Sequence, residues 1–222
     1  WDKRRENLMG LLHNAVARQA PWTLTRKLDY LANAHRLDCH TSGVFLLARH
    51  RPVLVRLAEI FKERLAHKTY FALVRGAPPE DPMSIDLPLG PHPSIPGLTA
   101  VDRSRKGKPS VTNLRVEERF SRYTLLRAEP TTGRLHQIRV HLQAIGCPLV
   151  ADDRYGDGRP LLLSRLKPDY KMKAEGERPL LSRPALHAAE LSLPHPVSGA
   201  SITISAPWPK DMLIALKYLR KF

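Results

Sequence analysis

Residues 111–146 read VTNLRVEERF SRYTLLRAEP TTGRLHQIRV HLQAIG, and the change of pattern inside this stretch decides the fold class. Val111 to Val116 and Tyr123 to Ala128 are short runs of β-branched, aromatic and apolar residues, the composition of strands. From about His136 to Ile145 the apolar positions recur at helical spacing instead. At ~100° per residue, Ile138, Leu142 and Ile145 fall within roughly 60° of one another, while His136, Arg139 and Gln143 gather on a different side. Gly146 and Pro148 close that helix.

Working outward, the same mixture continues in both directions. Toward the N-terminus, Glu6 to Gln19 places Leu8, Leu11, Leu12 and Ala15 on one stripe, which predicts a packed helix closed by Pro21. A polar stretch, His35 to Gly43, leads into Val44 to Ala48, an apolar run of the length of a buried strand. Pro52 then opens a helix whose stripe is Val53, Leu54, Leu57, Ala58, Phe61 and Leu65, and Thr69 to Val74 reads as a strand. The proline-rich stretch Pro78 to Pro96 reads as irregular loop with a short edge strand around Ile85 to Leu87. Toward the C-terminus, residues 157–183 are basic and weakly periodic and read as a surface insertion. Strands at Glu190 to Leu193 and Ser201 to Ser205 and a helix from about Asp211 to Lys221 follow. Strands and helices intermixed without a regular βαβ rhythm predict an α+β fold with a largely antiparallel sheet, in one domain spanning 1–222.

Composition narrows the function classes. At 42% hydrophobic and 26% charged residues, the chain has the makings of a core and is neither collagenous nor disordered. No apolar run approaches the roughly 18 residues of a membrane span. The charge balance is the informative number: 36 basic against 21 acidic side chains leave +15. Such self-repulsion is relieved by a polyanion, with RNA or DNA the first expectation and an anionic membrane surface the second. A basic ribosomal or chromosomal protein without chemistry would share this charge. Cys39 and Cys147 form no CxxC pair, which suits a reducing cytoplasm better than a disulfide framework or a four-cysteine zinc site. Neither GxGxxG nor GxxxxGK[ST] occurs, against a dinucleotide enzyme or a P-loop NTPase.

Three clusters carry chemical groups. The first is the loop His35 to Gly43, where Asp38 and Thr41 are also good turn formers. Zinc through His35, Cys39 and His40 is disfavoured, since adjacent residues point in different directions and no HExxH anchors them. Ser42 lacks the GxSxG elbow of a hydrolase nucleophile. The second is Thr131 to Leu142, where an arginine beside core-facing residues, Arg139, calls for a carboxylate partner, and Asp38 is a candidate. The third is Lys68-Thr69-Tyr70, where strand alternation places Lys68, Tyr70 and Ala72 on one face. Tyr70 is either a core aromatic or a platform for a base. The run Arg103, Ser104, Arg105, Lys106, Gly107, Lys108 is a solvated turn or a phosphate-contacting strip.

In this order the motifs resemble those of the RluA-type RNA pseudouridine synthases. The resemblance rests on HRLDCHTSG at 35–43, KTYFALVRG at 68–76, GKP at 107–109, TGRLHQIRVHLQAIGCPLVADDRYG at 132–156, LHAAEL at 186–191 and APWPKDM at 206–212. The HRLDxxTSG and TGRxHQIRxHL strings carry its specificity. The chain departs from the family pattern at Cys39 and His40, often charged residues there, and at Ala151, where the family has Gly. It also lacks the upstream NKPxG-like stretch, so the N-terminal strand region is expected to be truncated and an S4-type RNA-binding domain absent.

The resemblance implies a pseudouridine synthase fold, a mixed and mainly antiparallel sheet in two lobes with RNA across a central cleft. It implies Asp38 as the essential aspartate, Tyr70 as the ring stacked on the uracil, Arg139 as the cation paired with Asp38, and Arg36 as the residue filling the place of the flipped uridine. RNA contacts are expected from His35, Lys68, Arg134, His136, Gln137, Arg103, Arg105, Lys106 and Lys108. The reaction breaks the N1 to C1′ bond of a uridine in rRNA or tRNA, turns the base and joins C5 to C1′. It consumes no cofactor and no metal. A monomer is expected, with RNA as its partner and no membrane. The competing expectation is a ribosome-assembly protein that keeps the fold and binds RNA without catalysis.

Overall fold

The structure, a computed structural model, describes residues 7–171 and 176–222. The first residue of the expected N-terminal helix, Glu6, and residues 172–175 of the expected insertion lie outside these. The chain divides into two compact units. The first comprises the described residues up to Leu37, Phe45–Ala66 and Ser192–Thr203; the second comprises Asp38–Val44, His67–Leu191 and Ile204–Phe222.

In the first unit, α1 (Leu8–Ala17) begins where the Asn7 side chain accepts a hydrogen bond from the Gly10 N–H at 2.9 Å. Its apolar stripe is not packed as expected. No residue of α1 is buried, and Leu8 and Leu11 are 53% and 50% exposed. Periodicity identifies the face a helix offers but not whether anything covers it. Pro21 does more than end α1, because it opens a second short helix, α2 (Pro21–Thr25). Of the run expected as one strand at 44–48, only Leu47 and Ala48 are strand. β1 (Ala32–Asn33) pairs antiparallel with β3 (Leu47–Ala48) in this unit, whereas β2 (Ser42–Gly43) belongs to the other. The helix after Pro52, α3 (Arg51–Lys62), buries Leu57 and Ile60. Ala58 and Leu65 of the expected stripe are exposed, so the buried face is turned toward Ile60.

The second unit is organised by β4 (His67–Arg75), β5 (Met83–Asp86), β8 (Val111–Arg119), β9 (Tyr123–Pro130) and β10 (Leu186–Pro194). With β11 (Ser201–Ser205) they form one sheet in the order β11-β10-β4-β9-β8-β5. β4 with β9, β8 with β9 and β5 with β8 are antiparallel, and β2 runs parallel beside β10. The α+β class with a mainly antiparallel sheet is therefore the one expected. The proline-rich stretch holds an element that the sequence reading missed, a hairpin of β6 (Leu89–Pro91) and β7 (Thr99–Val101). Proline is tolerated here because Pro91 ends its strand, where no ladder continues.

Alternation along β4 and β9 sends side chains to two separate cores. Phe71, Leu73, Tyr123 and Leu125 meet Met212, Ala215, Leu216 and Leu219 of α5 (Lys210–Lys221). Ala72, Val74, Leu126 and Ala128 meet Ile138 and Leu142 of α4 (Gln137–Ala144) on the opposite face, where Tyr70 also packs. Tyr70 thus shares a face with Ala72, as the alternation predicted, and that face meets α4. The segment 157–183 is not wholly superficial. Leu161 and Leu181 bridge each other and are 0% and 1% exposed in the α5 core, which fixes both ends of the loop between them.

Candidate active site

Asp38 opens the second unit's first segment, a loop whose shape is set locally. The Thr41 N–H donates to the Asp38 carbonyl at 3.0 Å, closing a turn, and His40 occupies the left-handed region with φ 69°. At Gly43, φ is 125° and a Cβ would lie 2.0 Å from the Ala188 carbonyl oxygen. Glycine is therefore what lets β2 lie against β10, and that pairing anchors the loop carrying Asp38.

Arg139 projects from the first turn of α4 with its side chain 5% exposed. Its closest partner is not the one expected. Nε and Nη2 donate to the two carboxylate oxygens of Asp152, each at 2.7 Å, while Nη1 stands 4.0 Å from Asp38 Oδ2. Asp152 is fully buried and also accepts from the N–H groups of Arg154 and Tyr155, both at 3.0 Å. Burial alone would raise its carboxyl pKa, but the Arg139 guanidinium and the two backbone donors outweigh that and hold it below the ordinary range. The guanidinium also lies over the Tyr155 ring, 4.9 Å from its centroid. Arg139 is thus clamped by Asp152 and Tyr155, with one nitrogen left aimed at Asp38. The Asp38 carboxylate, 19% exposed, takes no hydrogen bond from any described residue.

The ring side chains around this pair are held toward their uncharged forms. The Tyr155 hydroxyl accepts from the Thr99 N–H at 2.9 Å and is hydrogen-bonded to His136 Nδ1 at 2.8 Å. Burial depresses the His136 pKa, Asp38 opposing and Arg139 and Arg154 reinforcing the shift. Burial and then the negative charge of Asp38 push the Tyr70 phenol up to about 12. Lys68 lies on the Tyr70 face, its Nζ 3.5 Å from where a Cβ on Gly133 would be, and burial lowers its pKa. The arrangement is one carboxylate with unused acceptor capacity, one fixed cation, a protonated phenol and an imidazole that burial biases toward its neutral form.

Asp38, Tyr70, Arg139 and His136 are therefore brought together, with Lys68 near the loop that precedes α4. Other expected contacts are placed differently. Gln137 is buried and spent on the protein: its oxygen accepts from Thr132 Oγ1 and the Arg134 N–H, and its nitrogen donates to the Val111 carbonyl and Thr112 Oγ1. It clips the loop before α4 to β8 and has no group left for RNA. His35, in the first unit, accepts from the Leu46 N–H at 3.0 Å and packs against the rings of Phe45 and Phe61. Arg36 beside it is exposed, as are Arg103, Arg105, Lys106 and Lys108 on the turn between β7 and β8. Arg134 donates to the Pro109 carbonyl at 3.4 Å, and its Nε is buried without a partner. Asp152 and Tyr155, which hold Arg139, are contacts of the site that sequence reasoning missed, although both lie within the motif ending at Gly156.

A concavity of about 630 Å³ lies elsewhere, lined in part by Ser84, Asn113, Arg115, Arg127 and Glu129, and holds none of these residues. Among the described residues no three His, Cys, Asp or Glu side chains gather as a metal site, and no helix is long and apolar enough to cross a membrane.

The chain's likeness to known proteins agrees with this geometry. The model of the RNA pseudouridylate synthase family matches residues 14–144. The ribosomal large subunit pseudouridine synthase C of Salmonella typhi is 41% identical over 191 residues, which is 86% of this chain and 57% of that protein. The chain thus spans little more than half the length of that relative. Among solved structures, human RNA pseudouridylate synthase domain containing 1 superposes with a TM-score of 0.67 at 27% identity, covering 89% of this chain and 74% of that one. Human RNA pseudouridylate synthase domain containing 4 gives 0.71 at 25%, covering 94% and 83%.

Proposed function

The chain belongs to the RNA pseudouridylate synthase family, and from that premise we propose that it converts uridine to pseudouridine in RNA, with Asp38 as the catalytic carboxylate. The observation that carries this is the Asp38 carboxylate itself, without a hydrogen bond from any described residue and 4.0 Å from a guanidinium that Asp152 holds in place. An acid that only stabilised the fold would be bonded within it; one facing a reacting sugar keeps its oxygens for the substrate. Asp38 acts at the ribose or the base as the N1 to C1′ bond breaks. Tyr70, neutral and flat, holds the detached uracil while it turns and C5 meets C1′. Arg139 balances the charge of Asp38 throughout.

The target uridine must leave its stack to reach Asp38, and phosphate contacts offset the few kcal/mol that flipping costs. Arg36, Lys68, Arg134 and the exposed Arg103, Arg105, Lys106 and Lys108 supply those contacts, in keeping with the net +15. The names of the curated relatives favour ribosomal RNA over tRNA as the substrate. Residues 1–222 act as one catalytic domain, a monomer in the cytoplasm with RNA as its partner. No cofactor enters, because the isomerisation neither oxidises nor hydrolyses its substrate.

The test is tritium release from RNA labelled at uridine C5, since forming the C5 to C1′ bond expels that hydrogen. Wild-type protein releases it, and Asp38→Asn, which keeps shape and RNA affinity, releases none. Equal release from both would sink the role given to Asp38.

A further inference from the structure

A second, partly buried cation lies behind the Asp38 loop and is not part of the reacting group. Arg183 stands just before β10, its side chain 19% exposed, and its donors reach three separate segments. Nε and Nη2 donate to Asp211 Oδ2 and Oδ1 at 2.7 and 3.0 Å, at the start of α5. Nη1 donates to the carbonyl of His40 at 3.0 Å, two residues after Asp38, and to those of Leu186 and Pro184 at 3.2 and 3.3 Å. Nη2 also donates to Ser42 Oγ at 3.1 Å.

Ser42 extends the clasp. Its hydroxyl accepts from Arg183, so its proton goes to His187 Nδ1 at 3.0 Å, and the remaining ring N–H of His187 donates toward the Ala206 carbonyl at 3.4 Å. That chain of donors requires a neutral His187. The loop from Asp38 to Gly43 is thus held by a guanidinium at one carbonyl and one hydroxyl, while the same guanidinium is oriented by a two-oxygen grip on Asp211. A planar fork with five N–H groups can make these contacts together, and an ammonium cannot.

We infer that Arg183, oriented by Asp211, is the positioning residue that sets where the Asp38 carboxylate stands relative to Arg139. This rests on the proposed reading of Asp38 and deepens it. Arg183 touches neither Asp38 nor Arg139 through its side chain; it acts through the backbone of His40 and the hydroxyl of Ser42. The separation of 4.0 Å between Asp38 and Arg139 is maintained without a hydrogen bond of its own, so something outside the pair must set it.

The experiment compares wild type, Arg183→Lys and Asp211→Asn in the full chain. Three quantities are read: the rate of tritium release from bound C5-labelled RNA at saturating protein, RNA affinity, and the fluorine spectrum of a trifluoromethyl tag on Cys39. Cys39 adjoins Asp38 and is exposed, whereas Cys147 is buried, so the tag reports on the loop alone. A displaced carboxylate slows the bound reaction by about 10- to 100-fold, with RNA affinity changed less than about threefold, because misplacement acts on the chemical step. The Cys39 resonance shifts or broadens in both variants. Guanidinium ion added to Arg183→Ala restores part of the rate and sharpens the line. Wild-type rates in Arg183→Lys and Asp211→Asn overturn the inference, and so does a rate loss with an unchanged Cys39 signal. If wild type releases no tritium, the pseudouridine reading fails separately, and the Cys39 signal alone decides whether Arg183 shapes the loop.

Discussion

Arg139 shows how much a single side chain has to be held before it is useful. A guanidinium 5% exposed is costly unless paired, and the pairing observed is bidentate, with Asp152, rather than with the acid it serves. The division of labour is physical: Asp152 and Tyr155 bear the cost of burying the cation, which leaves Nη1 for Asp38. Asp152→Asn keeps the shape and removes the charge, stranding a buried arginine. We expect a loss of about 3–5 kcal/mol in stability, the usual result of breaking a buried pair, together with a fall in turnover. Chemical denaturation and tritium release measure the two, and an unchanged midpoint would show that Asp38 is the true counter-ion. Tyr70 allows a subtler comparison at the same scale. With its phenol pushed up to about 12, it is protonated at any working pH and acts through its ring. Tyr70→Phe therefore retains most of the rate and Tyr70→Ala loses it, and equal losses would assign the work to the hydroxyl.

At the scale of elements, the site depends on one unusual pairing, the two-residue parallel contact of β2 with β10 in a mainly antiparallel sheet. Gly43 permits it, so Gly43→Ala drives a Cβ to within 2.0 Å of the Ala188 carbonyl and must push β2 away. The expected result is a destabilisation of about 1–3 kcal/mol and loss of turnover, with RNA binding through the exposed basic turn retained. Melting temperature, tritium release and RNA affinity check the three parts, and a fully active Gly43→Ala would show that the loop does not need this anchor. The elements themselves were largely legible beforehand. β11 appears at its expected bounds, α4 and α5 within a residue or so, and strand alternation correctly put Tyr70 with Ala72. Local pattern fails where the answer depends on a partner: α1 has a good stripe and no burial, and the hairpin of β6 and β7 is concealed by prolines that happen to fall at strand ends. The same limit explains the site. Asp38 and Arg139 sit in strings distinctive enough to find, but Asp152 reaches Arg139 across 13 positions and Arg183 reaches Ser42 across 141. No periodicity links such residues; only the folded chain does.

At the scale of the whole molecule, a chain carrying +15 pays for compactness in self-repulsion, and its buried imidazoles tie that cost to pH. His141 and His187 are 0% and 1% exposed, each with both ring nitrogens engaged: His141 with Thr112 Oγ1 and the Leu87 carbonyl, His187 with Ser42 Oγ and the Ala206 carbonyl. In its neutral form each ring donates to the carbonyl and accepts from the hydroxyl, so a second proton forces the hydroxyl contact to reverse as well as charging a dry site. Burial accordingly lowers both pKa values. When the folded value lies below the unfolded one, the unfolded chain binds more protons as pH falls below about 6.5, and stability decreases with it. Each imidazole contributes at most about 1.4 kcal/mol per pH unit in that window. The melting temperature should therefore fall between about pH 7 and pH 5, before most carboxylates titrate. Asp152, whose pKa is also lowered, extends the loss at more acidic pH as its pairing with Arg139 is protonated away. Replacing His141 by Gln, which retains a donor and an acceptor without a titrating group, should flatten the upper part of the curve, and a slope unchanged by that substitution would place the proton uptake elsewhere.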